Sequence, residues 1–188
     1  FRVRKEVSFL VVEEPRLDEI GREINLSWET RFRFPDGPKD VEAVAVDLDS
    51  NQALFLNKRE LPLRLYSVPL FPIDGKTVAK TLAELVPVPR YRSGLEDLYG
   101  DGAIYLGLPT GMDLFGSKLL VTTLSDAYVY DFRALGKPPE EIGLPYVGQR
   151  EAITFGYNSG HVAYVSQERS EGTQVANIFE ILLSDQSN

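Results

Sequence analysis

The 188-residue chain has no cysteine, one histidine, one methionine and one tryptophan. Without cysteine there is no disulfide, no thiolate metal ligand and no cysteine nucleophile. A cysteine-free chain suits the cytosol, and equally bacterial secreted proteins that fold without disulfides; the expectation leans to a secreted or periplasmic protein. With His161 alone, neither a His-rich zinc site nor a paired-histidine catalytic site can form within one chain. A Ser-His-Asp triad would have to use His161, and no G-x-S-x-G elbow accompanies it. No run of 18 apolar residues exists, so no transmembrane helix is expected. Basic charge is also short: 20 Lys and Arg stand against 28 Asp and Glu, a net charge of −8. A nucleic-acid binder needs a basic stripe to neutralise phosphates, so that class is not expected. The acidic balance leaves room for cations and cationic partners, or simply serves solubility.

The N-terminus, "FRVRKEVSFL", lacks the long apolar stretch and small-residue cleavage site of a signal peptide. It does not begin with Met, so the sequence reads as a processed product from which a leader could have been removed. Asn25-Leu26-Ser27 matches a glycosylation sequon, a pattern short enough to arise by chance.

Helical periodicity is scarce as well. In "GKTVAKTLAELV", residues 75–86, Val78, Leu82 and Leu85 fit helical spacing, while Thr77 to Lys80 alternate as a strand; the neighbours favour a strand. "PRLDEIGRE", 15–23, is long enough for one helical turn. The rest reads as short runs rich in Val, Ile, Tyr, Phe and Thr, separated by Gly, Pro, Asn and Asp. Strands are expected at 6–12, 23–34, 41–47, 53–59, 63–70, 103–108, 118–124, 127–132, 151–156, 161–167 and 175–183. Many short strands with regular turns point to a sandwich, barrel or propeller.

A repeat chooses among these. "EAVAVDLDSNQALFLNKRE" from Glu42 aligns without a gap on "EAITFGYNSGHVAYVSQER" from Glu151. A weaker copy, "TGMDLFGSKLLVTTLSDAYVYDF", spans 110–132, and there Asp113 is read in the place of the glutamate. Each copy leads into an aromatic-rich strand. A meander repeating every few tens of residues is an array, and for all-β meanders the array is a propeller. The expected fold is all-β: a partial β-propeller of about three four-stranded blades. Residues 1–36 would end one blade, 37–89 and 90–148 would form two more, and 149–188 a last, incomplete one. Three blades leave strand edges open. The ring would be completed, to six blades, by missing sequence or by a second chain: a second propeller half, as homodimer or companion.

"KDVEAVAVDLDSNQALFLNKRE", "TGMDLFGSKLLVTTLSDAYVYDF" and "GQREAITFGYNSGHVAYVSQE" together resemble the C-terminal half of six-bladed TolB-like and esterase-like (phytase-like) bacterial propellers. In that group an acid followed by Ala or Gly opens the innermost strand of a blade. The resemblance implies a binding or scaffold propeller, or else a calcium-dependent esterase, lactonase or phytase-like hydrolase. The chain departs from the group in lacking the N-terminal blades and, in the third copy, the acid-Ala step.

Innermost strands ring the channel, so Glu42, Asp113 and Glu151 are expected at one mouth, with Asp40 and Asn57 nearby. Converging carboxylates repel unless a cation intervenes, and Ca²⁺ takes several carboxylate and carbonyl oxygens. Three roles are open to these acids: accepting backbone hydrogen bonds that pin one blade to the next, holding Ca²⁺, or catalysis; the pinning role is the leading expectation. "RYRSGLEDLYGDG", 90–102, interrupts the repeat as a loop, where Tyr91, Arg92, Glu96 and Asp97 are candidate ligand contacts. "DLDSN", 47–51, lacks the Gly and distal Glu of a calcium loop and reads as a turn. Trp28 reads as blade packing and His161 as a turn residue.

Overall fold

The computed structural model describes residues 5–16, 18, 21, 23–73, 75–85, 107–144, 150–168 and 176–183. Their architecture is all-β, in four separate sheets. The first sheet orders its strands β1 (Val7–Val12), β2 (Leu26–Arg33) and β6 (Thr77–Val78). The second is the meander β3 (Val41–Asp47), β4 (Gln52–Asn57), β5 (Arg64–Pro69) and β7 (Lys80–Glu84). The third repeats it with β8 (Pro109–Phe115), β9 (Lys118–Thr123), β10 (Asp126–Asp131) and β11 (Glu140–Gly143). The fourth holds β12 (Arg150–Gly156), β13 (Ser159–Gln167) and β14 (Ile178–Leu182).

The period-2 geometry of strands explains how the sheets stack. Along β4, Ala53 and Phe55 point into a core shared with the first sheet, where they meet Phe32, Phe34 and Tyr66. Leu54 and Leu56 point the other way and join Met112, Leu119, Val121 and Tyr130 of the third sheet. On β9, Leu120 faces a third core containing Ile153, Phe155, Ala163 and Val165. The two middle sheets are thus buried on both faces and the two outer sheets on one. Complete burial of a Leu such as Leu56 or Leu119 stabilises by about 1.5–3 kcal/mol relative to exposure. The first strands β3, β8 and β12 lie side by side, so the sheets fan out from them. Sheets stacked face to face around their first strands form a partial β-propeller.

Residues 75–85 carry the strands β6 and β7 and no helix. β6 leaves its own meander and pairs in parallel with β2, Phe32 opposite Thr77. The β8–β9 hairpin closes through Gly116 and Ser117, with Gly116 at φ 58°, the left-handed turn geometry that two-residue hairpins require. Residues 103–106 of the expected strand at 103–108, and residues 17, 19, 20 and 22 of the expected turn at 15–23, lie outside the described residues.

Candidate functional site

The site is set by a bulge that recurs at the start of each first strand. Val41, Pro109 and Arg150 pair with Asn57, Thr123 and Gln167, the last residues of the second strands. One extra residue then interrupts the ladder, and pairing resumes at Ala43, Gly111 and Ala152. The bulge residues are Glu42, Thr110 and Glu151. Asp113 is therefore not the counterpart of the two glutamates. It lies three residues further along β8, where the other copies have Ala45 and Thr154. Gly111 takes the small-residue place after the bulge. A Cβ there would come within 3.0 Å of the Ala152 Cα and the Ile153 nitrogen. The small residue after the acid thus lets neighbouring first strands approach.

Each expected site residue has a definite place. Asp113 pins β8 to β12: its Oδ2 accepts hydrogen bonds from the Phe155 backbone N–H and the Thr154 hydroxyl, both at 2.8 Å. Its Oδ1 accepts from the Leu114 N–H at 2.8 Å. Glu42 accepts a hydrogen bond from the Lys58 ammonium, and Asp40 pairs with the Arg59 guanidinium at 2.5 Å. Asn57 is fully buried; its amide donates to the Glu60 carbonyl at 2.8 Å while its oxygen accepts from the Arg64 N–H. Thr123, at the equivalent place in the third sheet, accepts from the Ser125 and Asp126 N–H groups at 3.2 and 3.0 Å. Both residues close the turn to the next strand, and the Asn57 amide group is engaged there. Tyr91, Arg92, Glu96 and Asp97 lie outside the described residues.

Glu151 is the carboxylate with surplus negative charge around it. Loss of surrounding water, then Glu168 and Glu42, raise its pKa above the ordinary value, and Lys58 opposes them. Glu168, Glu42 and Lys58 thus lie near enough to Glu151 to act on its charge, while Asp113 is held in its own hydrogen bonds. Among the described residues no group of three or more His, Cys, Asp or Glu is arranged to hold a metal ion. His161 is exposed on β13, its N–H donating to the Ser159 hydroxyl at 3.2 Å. Asp47 caps its turn through Asp49, Ser50 and the Ser50 hydroxyl, the plain-turn reading of "DLDSN". Trp28 donates to the Leu70 carbonyl at 2.9 Å and stacks near Phe71, joining the first two sheets.

Three groups escaped the sequence reading. Arg150 is buried and donates to the Leu124 and Ser125 carbonyls at 2.6 and 2.9 Å, tying the fourth sheet to the third. Its place directly before the acid-Ala step was the available signal. Glu168 follows the last residue of β13, as Lys58 follows the last of β4. Asp36 gathers the Tyr66 hydroxyl at 2.9 Å, the Arg64 guanidinium at 3.0 Å and Lys39 at 3.3 Å, and Arg64 also reaches Glu84 at 3.0 Å. No local pattern marks that network, because its members come from a linker, β5 and β7.

No family model matches the chain, and a search of curated proteins finds no match. Among solved structures, a luciferin-regenerating enzyme is similar at 9% identity with a TM-score of 0.49; the match covers 87% of this chain and 49% of that one. The chain thus spans about half the length of that structure.

Proposed function

We propose that the chain is a propeller scaffold that binds a cationic ligand, Ca²⁺ or a basic side chain, at the mouth formed by the starts of its first strands. The observation that supports this reading is the gathering of Glu168 and Glu42 near Glu151, whose pKa is raised first by burial and then by those two charges. A cation seated there relieves like-charge repulsion and so binds more tightly than at a lone surface carboxylate. The acids at Asp40 and Asp113 serve the scaffold, one in an ion pair and one as a pin between blades. Titration calorimetry with CaCl₂ tests the reading. Only millimolar Ca²⁺ binding is expected, because the described carboxylates are not assembled as a metal site, and it should weaken further in Glu151→Gln. No binding of Ca²⁺ or of an arginine-rich peptide to the unaltered chain would overturn it.

The raised pKa also favours a second reading, a hydrolase in which Glu151 exchanges a proton with substrate or water. That reading expects Ca²⁺-dependent turnover of simple carboxylic or phosphate esters, lost in Glu151→Gln. Absence of turnover in the presence of bound Ca²⁺ leaves the scaffold reading standing alone.

A further inference from the structure

The repeat carries its own example of a cation on a bulge carboxylate. In the second sheet the bulge residue Glu42 accepts a hydrogen bond from the ammonium of Lys58, which directly follows the last residue of β4. In the fourth sheet the bulge residue is Glu151, and the place after β13 belongs to Glu168. Where one glutamate has a built-in ammonium, its counterpart has a second carboxylate. In the third sheet the same two places hold Thr110 and Leu124, which carry no charge. Across these equivalent places, the unbalanced negative charge falls to the fourth sheet.

Two buried oxygens flank that pair. Thr110 precedes Gly111 on β8 as Glu151 precedes Ala152 on β12. Gly111 and Ala152 abut so closely that a Cβ on the glycine would come within 3.0 Å of the Ala152 Cα. Gln167 pairs with Arg150, the residue before Glu151, and is itself followed by Glu168. Thr110 and Gln167 are 2% and 4% exposed, and neither Thr110 Oγ1 nor Gln167 Oε1 has a hydrogen-bond partner among the described residues. Buried polar atoms are nearly always satisfied, so an unpartnered oxygen marks a place for a donor.

We infer that Glu151 and Glu168 form a site for a primary alkylammonium ligand, a lysine side chain or its like, placed toward Glu151 as the Lys58 ammonium is placed toward Glu42. The assignment rests on the cationic-ligand reading and names its ligand class. An ammonium has three N–H donors and no acceptor. The two carboxylates and one buried neutral oxygen, Thr110 Oγ1 or Gln167 Oε1, supply three acceptors. Ca²⁺ takes about six to eight oxygens, and a guanidinium spreads its donors in a planar fork that Lys58 does not exemplify. The raised Glu151 pKa, caused by burial and then by Glu168 and Glu42, is the cost of leaving the pair without a cation.

The test is an NMR titration of the full chain with Nα-acetyl-lysine methylamide, its arginine counterpart and CaCl₂. The lysine compound should bind in the millimolar range, severalfold more tightly than the other two. The Glu151 and Glu168 carboxyl carbons should shift more than that of Glu42. Glu168→Lys, which gives the fourth sheet the lysine of the second, should lower the Glu151 pKa and abolish binding there. Lys58→Gln should leave the Glu151 response in place. If Glu168→Lys does not fold, selectivity on the unaltered chain decides. Equal or tighter binding of the arginine compound or Ca²⁺ overturns the ammonium assignment and leaves the cationic-ligand reading standing. So does a lysine response at Glu42 without one at Glu151. No binding of any of the three overturns both.

Discussion

At the scale of the residue, Asp113 shows how one carboxylate can be structural while its sequence neighbourhood suggests a site. Its two hydrogen bonds into β12 come from a buried-edge backbone N–H and a hydroxyl, so removing it leaves the Phe155 amide without its acceptor. Asp113→Ala is expected to destabilise by about 1–3 kcal/mol in urea denaturation. Gly111→Ala should cost a similar amount, about 1–3 kcal/mol, because the added methyl meets the Ala152 and Ile153 backbone at 3.0 Å, which cannot turn away. Glu151 has the opposite sign. A carboxyl whose folded pKa is raised costs stability as pH climbs from its unfolded value through the folded one, and the full cost is present above both. Glu151→Gln is therefore expected to raise the melting temperature at pH 7 without added cation and to change nothing at pH 4. A variant less stable than the parent at pH 7 would contradict the crowded-acid account.

At the scale of the element, most strands were legible because alternation and β-branched residues agree with the turns around them. "VEAVAVD" is β3 to the residue. β8 was obscured by Pro109 and Gly111, poor strand formers; at Gly111 the neighbouring first strand leaves no room for a side chain. The same bulge misplaced Asp113. Matching on the nearest acid skipped the extra residue, and Thr110, which stands in the glutamate's place, carries no charge to mark it. The link from β2 to β3 depends on Asp36, and no short-range pattern reveals that. Burial opposes the Asp36 charge, but hydrogen bonds from Tyr66 and Lys39 outweigh it and lower the pKa. A lowered carboxylate pKa gives stability that is present above the unfolded value and lost as pH falls through the folded one. Asp36→Asn should therefore cost about 1–3 kcal/mol at neutral pH, and its stability should fall less than the parent's below about pH 4.

At the scale of the whole molecule, the repeat predicts both the all-β meander and its incompleteness. The structure adds how the arc is held: three separate cores, each shared by two neighbouring sheets. It also shows what the ends expose. Leu10 and Val12 on the first sheet and Ile178 and Leu182 on the fourth are open apolar side chains at the two limits of the fan. Stacking of this kind makes stability local, with each sheet supported by its neighbours. Amide hydrogen exchange of the isolated chain tests this arrangement most directly. The slowest exchange is expected in β4 and β9, buried on both faces, and the fastest strand exchange in β1 and β14. Equal protection of β1, β14, β4 and β9 would contradict an open arc of four sheets.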